Sequence, residues 1–405
     1  MSDQAPVTGR QIHARFVASL LLVLGIFAVP SGGRADAKLD IPDASSLPEA
    51  WLVTYDPGDI YWQRFGHNAI WLRDPERGLD HAFNFGFFDF GQEDFLQRFV
   101  AGRMLYFSAA QPAAREFSQY QRENRSVRAR KLQLQPELFA RLREHLVRLV
   151  QPEHRDYLYD YYLDNCSTRI RDALDVALGG EFARANMARP ADQNFRDHTR
   201  RSVAAEFWYY LGLETALALP VDRDINAWEE MFLPEKVAEA VADFQTRNGP
   251  LAGAEHVIFQ SEAPLPPDQP PSIWWRYLAA GLGLALLFML LGRMVGPAML
   301  DGSALAWLLL ASTGGILLSL LWLFTDHQVA GPNLNLLLLN PLFLLGLWPG
   351  LRRWTGWLML AGLGLAMLQG LFPAAQYNLD VVAFVAPLNG ACAYWLLRFQ
   401  SGLNR

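Results

Sequence analysis

Charge nearly disappears from this chain two thirds of the way along. From Lys38 to about Gln260 the residues Arg, Asp and Glu recur throughout, whereas from Trp274 onward Leu dominates. Crossing a bilayer takes about 20 apolar residues in helical form. Five stretches qualify or come close: about Ile273–Val295, Leu305–Thr325, Leu336–Pro349, Trp354–Phe372 and Val381–Phe399. The third is short, and Asn340-Pro341 interrupts it. Between the two halves, residues 261–272 read SEAPLPPDQPPS, a composition that behaves as a semi-rigid spacer. The expected architecture is therefore α+β: a soluble domain over 38–260, a linker over 261–272, and an all-α bundle of about five transmembrane helices over 273–405.

The N-terminus carries the marks of export. Arg10, His13 and Arg15 precede the apolar run Phe16–Val29, and Ala35-Asp36-Ala37 offers small residues where a signal peptidase reads. Residues 1–37 are thus expected to be a signal peptide, with cleavage near Ala37. Basic residues favour the cytoplasmic side of a membrane. Arg293, Arg352, Arg353, Arg398 and Arg405 all fall at the same side if the soluble domain is outside, while Asp326–Asn335 and Pro373–Asp380 hold no Lys or Arg. The expected location is the inner (cytoplasmic) membrane, multi-pass, with the soluble domain in the periplasm. A net charge of −6 gives no reason to expect nucleic acid as a partner. The Arg residues scattered through the soluble half read as a solvated surface, or as contacts to anionic lipid headgroups.

Short apolar runs at Ala50–Thr54 and Asn68–Leu72 read as strands. The second is followed by the turn Asp74–Gly78 and by the alternating segment His81–Gly86, which predicts a hairpin. Pro136–Val150 and Asn165–Leu178 carry helical stripes. Of the two cysteines, Cys392 lies in the last apolar segment, which leaves Cys166 alone in the exported half, at the start of a helix. A buried Cys acting as a small hydrophobe is one reading. Nucleophilic chemistry is the other: free N–H groups and the dipole at a helix start favour a thiolate. A nearby His67 would act as base. His81 on the neighbouring strand would fix its tautomer. Backbone amides at the helix start, with Asn165 and the flanking Asn68, Ser167 and Arg169, would support substrate or an oxyanion. No HxxH-like spacing or second thiol suggests a metal, no nucleotide loop is present, and no cofactor is expected.

The hairpin HNAIWLRDPERGLDHA resembles the His-bearing hairpin of NlpC-type papain-like cysteine hydrolases. Here the Cys follows the hairpin by about a hundred residues, which resembles the circularly permuted branch of that group. With FGHNAIW, HAFNFG, YLDNCSTRIRD and the multi-span tail bearing NLNLLLLNP, most of the chain from about Leu47 is similar to the Lnb-type lipoprotein N-acyltransferases. The resemblance implies Cys166 as nucleophile, His67 as base and His81 as orienting residue. It also implies a phospholipid acyl donor, a Cys thioester, and the amine of a diacylglyceryl lipoprotein as acceptor. A periplasmic amidase or peptidase acting on cell-wall peptides, and a non-catalytic envelope assembly protein, are the alternatives. Asp326, His327, Asn333, Asn335 and Asn340 fall in an outer loop, either as a solvated segment or as a group that binds headgroups or orients the domain.

Overall fold

The computed structural model describes residues 38–372 and 375–398. The expected signal peptide lies outside the described residues, as does Arg405. The soluble half is built on one antiparallel sheet of seven strands: β1 (Glu49–Tyr55), β2 (His67–Asp74), β3 (Leu79–Phe87), β4 (Leu105–Pro112), β5 (Val127–Leu132), β6 (Asp156–Leu158) and β7 (Ala252–Phe259). Their spatial order is β6-β4-β3-β2-β1-β5-β7. β1 is buried along its whole length, as expected for a central strand covered on both faces. The β2–β3 hairpin expected from the turn at Asp74–Gly78 is present, with Ile70 opposite Phe83 and Trp71 opposite Ala82.

Alternation along the strands divides the sheet into two buried faces. Leu52, Ile70, Leu72, Phe83 and Phe85 form one, covered by helices α3 (Pro136–Leu149), α4 (Cys166–Ala177) and α7 (Pro234–Asp243). Trp51, Val53, Ala69 and Trp71 form the other, closed by Phe117 of α2 (Ala113–Arg122). A short helix, α1 (Phe95–Ala101), links β3 to β4, while α5 (Phe195–Val203) and α6 (Phe207–Ala216) stand toward the second half of the chain.

That second half contains five segments long and apolar enough to cross a membrane: Trp274–Val295, Pro297–Phe324, Gln328–Leu347, Pro349–Leu371 and Leu379–Arg398. Four contain long α-helices, here α8 (Trp274–Val295), α9 (Pro297–Phe324), α10 (Arg352–Leu368) and α11 (Leu379–Arg398). The third, 328–347, is a chain of short 3₁₀ turns packed against α9 and α10. Asn333 and Asn340 both accept backbone N–H bonds at the starts of these turns, and Pro341 follows the second, so a continuous α-helix is interrupted twice.

The two halves meet through buried polar contacts. The carbonyls at the end of α6 lack partners within the helix, as at any helix C-terminus. Asn335 Nδ2 donates to Glu214 O (3.1 Å) and Thr215 O (3.0 Å), and Asn333 Nδ2 to Thr215 O (2.9 Å) and Ala216 O (3.1 Å). Gln376 Nε2 donates to Leu217 O at 3.0 Å. Beside this cap, the buried Arg196 pairs with Asp222 and Glu214, and Arg200 pairs with Glu214 and with Asp380 at the start of α11. Removing Glu214 would leave Arg196 with Asp222 and Arg200 with Asp380 as their remaining acidic partners, each buried guanidinium losing one ion pair. Breaking a buried pair in this way costs about 3–5 kcal/mol. Thermal unfolding in detergent should therefore show a large loss of stability for Glu214→Ala. Asn340, whose side chain bonds only Leu342 N and Leu336 O within its own turn, should cost about 1 kcal/mol or less as Asn340→Ala.

Candidate active site

His67 opens β2 because Gly66 turns the chain just before it. Gly66 has φ +77°, and a Cβ there would stand 2.8 Å from the carbonyl oxygen of Tyr55, so only glycine fits. The imidazole lies on the α2 face of the sheet, stacked beside Tyr55 and Tyr120 at ring separations of 5.8 and 6.4 Å. Its Nε2 is 2.9 Å from Asn84 Oδ1. Asn84 Nδ2 is in turn held by Glu116 Oε2 at 2.7 Å, and Glu116 also accepts from Gln111 Nε2 and from the Tyr55 hydroxyl. Because Asn84 gives its amide protons to Glu116 and to Ala82 O, its oxygen is left to accept from His67. This network assigns the proton to Nε2 and leaves Nδ1 with a lone pair.

Burial pulls the His67 pKa down to about 4, and the positive charge of Arg125 works in the same direction against the bond to Asn84. The imidazole is therefore neutral at ordinary pH. Glu116 is also buried, and burial raises its pKa even though three donors surround it.

Cys166 reaches the same place from the other face of the sheet. Asn165 caps α4, accepting from Ser167 N (2.9 Å) and Thr168 N (3.0 Å), while Thr168 Oγ1 accepts from Asn165 N in a reciprocal capping box. Pairing between β2 and β3 ends at Ala69 and Asn84, and Gly86 then departs at φ +93°. A Cβ on Gly86 would sit 3.4 Å from Cys166 Cβ, so the start of α4 lies directly against this gap. The backbone N–H of Asn68, the residue after His67, points at the Cys166 sulfur, as do those of Ser167 and Cys166 itself. Tyr120, which stacks beside His67, is close enough to feel a charge on Cys166, as are Tyr157 and Tyr159.

The helix start was expected to lower the thiol pKa. Burial wins instead: it raises the Cys166 pKa above the ordinary value, outweighing the N–H groups that act against it. With the thiol raised and the imidazole lowered, the resting pair is neutral. No hydrogen bond joins His67 to Cys166, whose side-chain neighbour is Ser167 Oγ at 3.8 Å.

Four further expectations meet the structure differently. His81 lies three residues from Asn84 along β3, opposite Leu72, and so faces away from the imidazole. Asn84 holds the orienting position expected of His81; an Asn three residues further along an alternating strand carries no distinctive sequence signal. Asn165 donates both amide protons, to Tyr161 O and Phe232 O, so it builds the helix start and has none left for an oxyanion. Arg169 is held by Asp164 and lies over the Tyr157 ring at 4.1 Å. Asn68 is buried, and its amide donates to Thr54 Oγ1 at 3.0 Å, leaving its backbone N–H as the group nearest the sulfur.

Of the outer-loop residues Asn333 and Asn335 are buried, whereas Asp326 is exposed. Asn333 and Asn335 form the α6 cap described above, whereas Asp326 pairs with Arg103 at 2.6 Å and His327 Nε2 lies 3.1 Å from Phe99 O. All four join the halves of the chain, and Asn340 does not.

Fold and site together define a class: multi-pass membrane proteins with a periplasmic-type α+β domain on a helical bundle. A family model of the Lnb N-terminal periplasmic domain matches residues 38–202, and one of the Lnb transmembrane domain matches residues 278–360. The chain belongs to the Lnb family. No curated protein and no solved structure matches it.

A neutral thiol–imidazole pair makes a prediction about reactivity. Modification of Cys166 by iodoacetamide should rise about tenfold per pH unit from pH 6 to 8, because only the thiolate reacts. A rate already level across that range would mean a preformed thiolate–imidazolium pair.

Proposed function

We propose that this protein transfers an acyl chain from a phospholipid, through a thioester on Cys166, to the N-terminal amine of a lipoprotein. Two observations together carry the reading: the His67–Asn84–Glu116 chain, and the bond from the backbone N–H of Asn68, the residue after His67, to the Cys166 sulfur. They support an oriented neutral imidazole acting as base for the thiol, in the Cys–His–Asn pattern of papain-like enzymes. Membership of the Lnb family supports a lipoprotein as the acceptor and an orientation with this domain on the periplasmic side of the inner membrane. The buried junction to the bundle supports a lipid donor, since a mere tether would not need it.

In the first step His67 Nδ1 takes the Cys166 proton as the sulfur attacks the ester carbonyl of the lipid. The C–S bond forms, the C–O bond to glycerol breaks, and His67 returns the proton to the departing lysophospholipid. In the second step the lipoprotein amine attacks the thioester carbonyl. His67 accepts a proton from the amine and passes it to the sulfur as the C–S bond breaks. The backbone N–H groups of Cys166 and Asn68, which lie against the sulfur, would serve as donors to the developing oxyanion. Serine at 166 would be a far weaker nucleophile beside the same base.

The test is intact-mass analysis of the full-length protein in phospholipid nanodiscs. One acyl mass, removable by hydroxylamine and absent from Cys166→Ser, is expected, with lysophospholipid released. Asn84→Ala should slow acylation by about 100-fold or more, within the range expected for a mispositioned general base. A Cys166 that alkylates normally yet never acquires an acyl chain from lipid would favour a hydrolase acting on cell-wall peptides.

A further inference from the structure

The membrane half of this chain has an expected reason to be apolar, but the soluble half also exposes a compact apolar patch. On α1 the side chains of Leu96, Phe99 and Val100 are exposed on one side, while Gln97 and Arg98 lie on another. Phe90, in the turn before α1, is 66% exposed and packs edge-on against Phe95. Contiguous apolar patches of this kind mark surfaces that meet a partner or a membrane.

The backbone fixes the height of this patch. α9 ends at Phe324, itself strongly exposed, as a lipid-facing residue would be. Two residues later Asp326 N donates to the carbonyl of Ala101 at 2.8 Å, and His327 Nε2 lies 3.1 Å from that of Phe99. Gly102, with φ +75°, lets the chains approach so closely that a Cβ there would stand 2.7 Å from His327 N. The end of α1 is thus fastened to the end of a membrane-spanning helix. Its apolar side chains are therefore held beside the end of α9.

From the patch an unbroken aromatic series runs inward. Phe90 contacts Phe88 (4.9 Å between rings), Phe88 contacts Tyr106 (5.1 Å), and Tyr106 stacks on Tyr159 (4.3 Å). Tyr159 is within electrostatic reach of Cys166. We propose that the exposed face of α1 inserts into the outer leaflet. The aromatic series behind it is then the wall along which an acyl chain travels from the bilayer to Cys166. The second statement rests on the acyl-transfer reading above; the first does not.

The experiment uses the full-length protein in phosphatidylethanolamine/phosphatidylglycerol nanodiscs. Single probe sites are made as Leu96→Cys and Val100→Cys in a Cys166→Ser background, with Cys392 buried in the bundle, and labelled with NBD. Glu76→Cys serves as the control, because it lies at the far tip of the β2–β3 hairpin, about 25 Å along β2 from His67. The expected result is a blue-shifted emission at 96 and 100, quenched at least about twofold by 5-doxyl lipid, with the control unaffected. Probes at 96 and 100 as water-like as the control would overturn the insertion.

The path is read separately with Cys166 intact. Phe90→Asp should slow acylation of Cys166 by lipid about tenfold or more, while alkylation by water-soluble iodoacetamide stays at the wild-type rate. Unchanged acylation would overturn the path. A wild type that is never acylated would overturn both the acyl-transfer reading and the path, whereas the NBD probes would still decide the insertion.

Discussion

The last carbonyls of α6 are the constraint on which the rest of this structure depends. A helix that ends inside protein must find donors for these groups or lose about 1–3 kcal/mol for each one left bare. Here the donors come from the other half of the chain, from Asn333, Asn335 and Gln376. Beside them Arg200 bridges Glu214 on α6 to Asp380 on α11. The globular domain and the bundle therefore complete each other's polar groups. Amide side chains that would be a liability in a membrane protein become the means by which the globular domain is joined to the bundle.

The site itself follows from two strands parting. Where β3 leaves β2 at Asn84, backbone N–H groups at the start of β2 lose their ladder partners. The start of α4 fills the gap, bringing a thiol to the N–H of Asn68. Asn84, the last paired residue of β3 against β2, can then reach diagonally to His67, and Glu116 behind it fixes which way the amide faces. Burial sets the electrostatics: it disfavours charge on both the sulfur and the imidazole. The proton therefore stays on the resting thiol.

Much of this was legible in the chain itself. The loss of charge after the linker foretold the bundle, and FGHNAIW followed by a turn foretold the hairpin, because apolar spacing and turn chemistry are local. DNCST marked a helix start correctly, since an Asn with a Thr three residues later forms a capping box. Long-range facts were hidden. His81 advertises chemistry in the sequence and Asn84 does not, and only the strand register shows which of them faces His67. The pKa of Cys166 is hidden for a similar reason: a helix start can be read from sequence, but the tyrosines near the sulfur come from two other segments, at Tyr120 and at Tyr157 and Tyr159. The outer-loop residues announced that they mattered without revealing that their partners lay on α6.

Following the fate of a labelled acyl chain tests the account most directly. The full-length protein would be placed in nanodiscs whose phospholipid carries an isotopic label in its sn-1 chain, together with a synthetic diacylglyceryl-cysteine peptide. Mass spectrometry would then follow the label over time. The account predicts that the label passes through Cys166 and accumulates as an amide on the peptide N-terminus. Label recovered only as free fatty acid, with the peptide amine unmodified while Cys166 turns over, would contradict it.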